Sequence, residues 1–338
     1  MNLKVWLGVI ASLVLLWLAV RDVDFAHAWD YIRQINLIFL IPYGALLVGE
    51  VFIRGLRWYI LLAPIHRASY GNLCSATLIG LMANNILPAR AGEFVRAYAG
   101  ARMERIPFST CFATVVIDRV LDGLTVSALF VPTVLLYPEL PDNVRGAGYV
   151  AAGIYVATLT FLIALMVQEA ATLRFVATLL RLAPRSIADR IMGLLEMFVS
   201  GLTVLRRGKL VLAAVVISFL VWAGYAGTLY FMALAFEIHL GFAESFVVLL
   251  ILTIALTLPT TPGFVGAMEW AIKVGLVLFG IDASQAFAFA IVYHVTQYVP
   301  LTLGGFVAAW LARLSMGEIA HVQSRAESGS SALGEPAP

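Results

Sequence analysis

The chain has 338 residues, 62% of them hydrophobic and only 12% charged, with a formal net charge of +2. Soluble domains carry about 25% charged residues, so this composition excludes a soluble globular protein, and the small net charge gives no footing for nucleic acid. Short alternating segments of the kind a membrane β-barrel needs do not dominate, whereas several stretches reach the roughly 20 apolar residues that cross a hydrocarbon core.

In chain order, the first apolar run, 3–20, resembles a signal peptide, with Lys4 before it ends and Arg21 and Asp22 after it. Those charges make a poor cleavage context, so an uncleaved first helix is expected. Full spans follow at 36–54, 109–137, 147–167, 210–236 and 285–312. Two regions between them, 69–105 and 242–282, are apolar but interrupted. The first contains NNILPARAGEFVR (Asn84–Arg96), the second LTLPTTPGFVGAMEW (Leu256–Trp270).

Basic residues set the orientation. The long polar connection 168–209 carries Arg174, Arg181, Arg185, Arg190, Arg206, Arg207 and Lys209, which marks it as cytoplasmic. Counting back across 147–167 and 109–137 puts Arg90, Arg96, Arg102 and Arg105 inside, and Arg54, Arg57 and Arg67 look cytoplasmic too. Both flanks of 69–88 therefore want the same side. A full crossing cannot satisfy them; a re-entrant loop can, provided that protein or a wet cavity covers its irregular backbone. Region 242–282 likewise makes no net crossing, either as a broken hairpin around Pro259–Gly263 or as two short spans. Both termini then lie inside, leaving Arg21, Arg33 and Arg145 as the basic residues of external loops.

The expected fold is an all-α polytopic membrane protein with about six full transmembrane helices and two opposed re-entrant hairpins. Residues 1–315 form the membrane domain and 316–338 a disordered tail rich in Ser, Gly, Ala and Glu. Within 168–209, apolar positions alternate with arginines on either side of Pro184. This suits two amphipathic helices on the inner leaflet or an intracellular bundle packed against the membrane domain. The two interrupted regions also share a loose pattern, PARAGE (Pro88–Glu93) and PGFVGAME (Pro262–Glu269). Broken helices in inverted repeats are a transporter plan; two unrelated structural breaks are the alternative.

Ionisable residues in apolar sequence are costly and usually paired or functional. Arg90, Glu93 and Arg96 recur at intervals of three and share a helical face. Asp118 and Asp122, four apart, would repel unless a cation lies between them, with Arg90 or Arg96 a better partner than the adjacent Arg119. Glu269 and Lys273 are four apart in the favourable order for an ion pair. Arginine forks match phosphate oxygens, so Glu93 and Arg96 are expected to face a polar cavity open to the cytoplasm, near Asp118 or Asp122. The competing possibility is that these charges only tie hairpins to helices.

Little points to catalysis. Cys74 and Cys111 read as buried small residues, the five histidines (27, 66, 239, 294 and 321) are scattered, and no metal cluster, nucleophile motif or phosphate loop is present in the sequence. Asp118–Gly123 superficially suggests a phospholipid-alcohol transferase, but two aspartates make a thin metal site. A non-enzyme without cofactor or metal is expected.

RGLRW (Arg54–Trp58), NNILPARAGEFVRAY (Asn84–Tyr98), DRVLDG (Asp118–Gly123) and PTTPGFVGAMEW (Pro259–Trp270), in this order, carry a resemblance to the lysylphosphatidylglycerol synthase transmembrane-region family over most of 3–315. The resemblance implies a bacterial or archaeal inner-membrane protein. In multi-domain members this region looks like the part that moves aminoacylated phosphatidylglycerol between leaflets, while synthesis belongs to a separate soluble domain. Roughly 25 residues follow the last span here, too few for that domain, so lysyl transfer is not expected. The resemblance implies lipid translocation or headgroup handling in the bacterial inner membrane, on a phospholipid, hopanoid-related lipid or polyprenyl-linked glycolipid. Arg90, Glu93, Arg96, Asp118, Arg119, Asp122 and Glu269 are then candidate contacts to an anionic or phosphate-bearing headgroup. A non-transporting partner of a lipid-modifying enzyme and a membrane-embedded lipid transferase are the alternatives.

Overall fold

The computed structural model describes residues 3–87, 91–137, 142–180, 192, 207–257 and 261–320. Among them the chain is all-helical: α1 (Leu3–Val20), α2 (Phe25–Arg33), a 3-10 turn (Leu37–Phe39) leading into α3 (Leu40–Leu62), α4 (Tyr70–Ile86), α5 (Gly92–Glu104), α6 (Phe108–Leu136), α7 (Asp142–Val167), α8 (Glu169–Leu179), α9 (Gly208–Ala235), α10 (Phe242–Ala255), α11 (Ala267–Val277) and α12 (Ala283–Leu311). Three of these stretches, Leu37–Leu62, Gly208–Ala235 and Ala283–Leu311, are long and apolar enough to cross a membrane. The protein is a multi-pass integral membrane protein.

Two ends of the bundle can be told apart by their contacts. At one end Asn36 N–H donates to the Ala235 carbonyl (2.9 Å), Asp24 N–H to Ser284 Oγ (3.0 Å), and Gln285 Nε2 to the Phe236 carbonyl (3.0 Å). At the other, Glu104 at the end of α5 accepts from Ser69 N–H (3.1 Å) and Asn72 Nδ2 (2.8 Å) at the start of α4. The pair α4–α5 is thus an antiparallel hairpin rooted at this second end.

Hairpin one breaks for a local reason. Leu87 precedes Pro88, whose ring disfavours helix at the residue before it, and Leu87 is extended (φ −97°, ψ 142°). The two limbs meet closely because glycines face each other. A Cβ on Gly92 would lie 2.3 Å from the Gly80 carbonyl oxygen, and one on Gly80 would lie 2.7 Å from Arg96 Cβ. Small residues at helix contacts are the usual solution in lipid, where apolar burial alone does not drive helices together.

Hairpin two, α10–α11, starts from the opposite end, directly after α9. Its break holds a 3-10 turn at Pro262–Phe264, with Gly263 (φ +72°), Phe264 (φ +60°) and Gly266 (φ +85°) in left-handed backbone. Such backbone costs a bulky residue like Phe264 about 1–2 kcal/mol, so the surrounding packing must hold it there. The two breaks touch: Gly263 packs against the Asn85 carbonyl and the Tyr298 ring. Asn85 Nδ2 donates to Thr302 Oγ1 on α12 (2.8 Å), and Ser12 Oγ on α1 bonds Thr261 Oγ1 (2.9 Å).

Two findings correct the expectations from sequence. The span expected to end at residue 54 runs on to Leu62, so Arg54 and Arg57 lie inside α3 and buried, not in a cytoplasmic flank. Residues 316–320, grouped with the tail on sequence, turn as helix and bury Ile319, while 321–338 lie outside the described residues. Of the segment 168–209, α8 exposes Phe175 and Leu179 and packs Leu173 against Leu61, Ile117 and Leu121; nearly all of 181–206 lies outside the described residues.

Candidate functional site

Helical spacing assembles a charged network between four helices. On α3, Glu50, Arg54 and Arg57 share one face at intervals of four and three. Facing them are Asp118 and Asp122 on α6, Glu93 and Arg96 on α5, and Ser218 and Tyr225 on α9. Arg57 lies between the two aspartates, with Nε 2.5 Å from Asp118 Oδ1 and Nη1 2.6 Å from Asp122 Oδ1. It also donates to Ser218 Oγ (2.8 Å). The cation that the aspartate pair requires is therefore Arg57, which the sequence reading had assigned to the cytoplasmic flank.

The other members extend the network. Arg96 Nη1 donates to Asp118 Oδ2 (2.7 Å), lies 4.0 Å from Glu93, and stacks its guanidinium 4.3 Å from the centre of the Trp58 ring. Trp58 is fixed in turn by its Nε1–H bond to Thr114 Oγ1 (2.9 Å). Arg54 Nη1 donates to Tyr225 Oη (3.1 Å) and Glu50 Oε1 (3.3 Å), and Tyr225 O–H donates to the same Glu50 oxygen (2.8 Å). Arg119 bridges Glu93 Oε2 (3.1 Å) and Asp122 Oδ2 (3.0 Å). That corrects the expectation that Arg119 points away from the aspartates; a spacing of three on a helix suffices for the long side chain to fold back onto Asp122.

Among the described residues the network's four arginines and four carboxylates balance. An unpaired charge at this depth would cost several kcal/mol, so balance is what lets the network exist inside the bundle. Its members differ in access. The side chains of Arg57 and Asp118 are fully buried and that of Arg96 is 2% exposed, whereas Glu93 is 25% and Arg119 38% exposed. Arg57 and Asp118 read as internal struts, Glu93 and Arg119 as the surface the network presents.

That surface lines a cavity of about 560 Å³. Glu93, Arg119 and Asp122 form its charged wall, and Asn84 brings hairpin one to it. Thr257 and Phe264 bring the break of hairpin two, while Val120, Trp222 and Leu252 supply apolar wall. Two buried donors of wall residues, Arg119 Nη2 and Trp222 Nε1, have no acceptor among the described residues. Arg96 does not line the cavity; its guanidinium is spent on Asp118 and Trp58, which corrects the expectation that it faces a polar opening. Arg90 lies outside the described residues.

Glu269 is elsewhere. It sits in the first turn of α11, where Oε2 accepts the Gly266 N–H (2.7 Å) and Oε1 lies 2.5 Å from His294 Nδ1 on α12. The expected pairing with Lys273 is not made: Lys273 Nζ donates to the Ala19 carbonyl at the end of α1 (2.9 Å) and lies 3.9 Å from Asp22. Uncapped carbonyls at a helix C-terminus attract a cation, and Gly266 brings α11 close enough to α1 for the reach.

Sequence reasoning missed Glu50, Arg54, Arg57, Tyr225 and His294. A signal was present for the first three. WYILL follows Arg57, so the apolar helix continues past the charges, and their spacing keeps them on one face. Tyr225 and His294 meet their partners across more than twenty residues of chain, which no local pattern records. Among the described residues no group of three His, Cys, Asp or Glu side chains is placed to hold a metal ion.

Comparison with known proteins finds membrane proteins among the chain's relatives. Glycosyltransferase AglD of Haloferax volcanii is 27% identical over 75% of this chain and 45% of its own length, so the chain spans less than half of that relative. A UPF0104 membrane protein of Methanothermobacter thermautotrophicus is 26% identical over 75% of this chain and 79% of its own. Another, from Methanocaldococcus jannaschii, is 26% identical over 68% of this chain and 93% of its own. No solved structure matches the chain. The sequence profile described as lysylphosphatidylglycerol synthase TM region matches residues 5–305, and it takes in the charged faces of α3, α5 and α6 and both helix breaks; the protein belongs to that family of membrane proteins.

Proposed function

We propose that the protein moves lipid headgroups across the cytoplasmic membrane without changing their covalent structure. The observation that carries this reading is the cavity, in which a charged wall, apolar walls and the breaks of both hairpins converge. An amphipathic ligand needs that combination. Its headgroup would meet the part-exposed Arg119 side chain, and a guanidinium fork suits a phosphate or other anionic group. In this reading α1, α3, α6, α7, α9 and α12 cross the bilayer, hairpins one and two enter from the cytoplasmic and external sides, and both termini are cytoplasmic. Opposed hairpins meeting near the midplane suit alternating access to a central site.

Reconstitution tests it. Liposomes containing the protein should move fluorescent phosphatidylglycerol, a polyprenyl phosphate or a glycolipid between leaflets faster than empty vesicles do. No acceleration with any of the three refutes translocation. The topology has its own test in a Cys74- and Cys111-free background: an impermeant external thiol reagent should label His239→Cys and spare Arg67→Cys. The match to part of a longer glycosyltransferase supports a second reading, a membrane partner for a lipid-modifying enzyme, which predicts co-purification of that enzyme and no intrinsic lipid movement.

A further inference from the structure

Every buried carboxylate of the charged network has a guanidinium partner, and guanidinium keeps its charge at any working pH. Glu269 differs. Its residue is 4% exposed and its ion-pair partner is a histidine, also buried at 8% exposure. Lys273, one turn away, is engaged by α1. The charge balance around Glu269 therefore depends on whether His294 carries a second proton. With the proton, the pair is a neutral imidazolium–carboxylate; without it, a bare negative charge stays in a low-dielectric interior, where it costs several kcal/mol.

The pair also sits at a mechanical joint. The same carboxylate that meets His294 holds the N–H of Gly266, the left-handed residue at which hairpin two resumes its helix. Gly266 packs directly on α1, where a Cβ would come within 2.3 Å of the Ser12 carbonyl oxygen. Glu269 thus ties the break of hairpin two to α12, and the break in turn abuts α1 and hairpin one. A capping glutamate alone would be ordinary; one whose countercharge is a titratable side chain on another helix is not. Among the described residues its surroundings supply no substitute. α12 adds Tyr298, whose ring lies 5.9 Å from that of His294. α1 offers Ser12, with Arg21 and Asp22 beyond its end; hairpin one offers Asn85; the one acid of α10, Glu244, caps its own N-terminus.

We propose that Glu269 and His294 form a proton-binding site that gates hairpin two, and that lipid movement is coupled to its occupancy. In the tautomer whose Nδ1–H donates to Glu269 Oε1, Nε2 takes the proton from hydronium: one O–H bond breaks as the N–H bond forms, giving imidazolium and water. Occupied, the joint is neutral, dry and closed. Empty, the carboxylate draws water, and the break separates from α12. The coupling to lipid rests on the function proposed above; the proton site does not.

Amide hydrogen exchange of the protein in phosphatidylglycerol nanodiscs tests the site without any assumption about transport. After correction for intrinsic pH dependence, peptides covering 261–277 should exchange at least about tenfold faster at about pH 9 than at about pH 5, with peptides of α4 unchanged. Glu269→Gln, permanently neutral, should hold the closed protection at both pH values. His294→Gln, permanently uncompensated, should give the open rate at both. Wild-type protection independent of pH overturns the proposal, as does a pH dependence that survives in His294→Gln. A purely structural cap predicts that both substitutions loosen the hairpin alike, which also overturns it. In proteoliposomes, movement of fluorescent phosphatidylglycerol should follow pH in the wild type and lose that dependence in Glu269→Gln. Movement absent at every pH, with the exchange result intact, refutes the transport reading and leaves the proton site standing.

Discussion

Replacing Arg57 by methionine removes the cation that, among the described residues, both aspartates of α6 share, and leaves a shorter, uncharged side chain. It deletes contacts of 2.5 Å to Asp118, 2.6 Å to Asp122 and 2.8 Å to Ser218 from a site with no solvent exposure. Three guanidiniums would then face four carboxylates. Breaking one side of a buried pair costs about 3–5 kcal/mol, because the charge left behind is not resolvated. Asp118 keeps Arg96 and Asp122 keeps Arg119, so the lower half of that range, about 3 kcal/mol, is expected. Asp122→Asn on this background restores three charges of each sign and should recover about 0.5–3 kcal/mol, the range of coupling between contacting residues. Asp122→Asn alone should destabilise, since it leaves Arg57 in excess. Reversible unfolding in mixed micelles measures all four corners of the cycle. An Arg57→Met protein within about 1 kcal/mol of wild type, the scale of an exposed pair, would refute the view that charge balance holds this bundle together; so would a double variant no more stable than Arg57→Met.

Arg119→Ala should leave unfolding within about 1 kcal/mol of wild type, because this side chain is part-exposed. It should nevertheless reduce lipid movement at least about tenfold, with Arg119→Lys recovering part, since a point charge lacks the planar fork. Gly305→Ala should destabilise by about 1–3 kcal/mol, because its Cβ would lie 2.3 Å from Met82 Cβ and 2.7 Å from the Leu78 carbonyl oxygen. Gly304→Ala, with its nearest neighbour at 3.5 Å, should be tolerated in the same assay. Glu318, beyond the last span, has its carboxyl held below its ordinary value by the Ser315 N–H and then by Arg102. The folded form is the stronger acid, so its contribution is present above the ordinary glutamate range and lost as pH falls through the depressed value. Amide protection of 315–320 should fall there in wild type and show no such step in Glu318→Gln.

Much of the architecture could be read from local sequence. Apolar length marked the long helices, Pro88 and the Pro262–Gly263 turn marked the two breaks, and spacing of three or four put Asp118 with Asp122 on one face. The charged site was read less well, for a physical reason. A helix boundary drawn where arginine appears assumes that arginine must meet water, and α3 breaks that assumption because its charges are neutralised by other helices. WYILL shows that the helix runs on past Arg57, but its partners could be named only by knowing that Asp118 and Asp122 lie opposite it. The same applies to Lys273: its spacing from Glu269 is favourable, but a helix C-terminus and a histidine, both remote in sequence, offer each of them a better partner. Local periodicity says which face a charge occupies, not what that face meets.

The likeness between PARAGE and PGFVGAME acquires a physical sense from these partners. In both hairpins the glutamate falls in the first turn of the helix that resumes after the break. In hairpin one that acid is held by arginines, Arg119 closely and Arg96 at longer range, beside a closely apposed pair of glycines. Its arginine partners keep their charge at any working pH, and its part-exposed side offers a surface to a ligand. In hairpin two the acid is buried, is held by histidine, and secures a break that carries left-handed backbone at Gly263, Phe264 and Gly266. If the two hairpins were interchangeable structural plugs, exchanging their partners would matter little. Introducing arginine at His294 would then be tolerated, with wild-type lipid movement at every pH. The division of roles argued here gives the opposite expectation. A permanent cation opposite Glu269 should hold hairpin two closed, raise the protection of 261–277 at high pH to its low-pH level, and slow lipid movement most where the wild type is fastest.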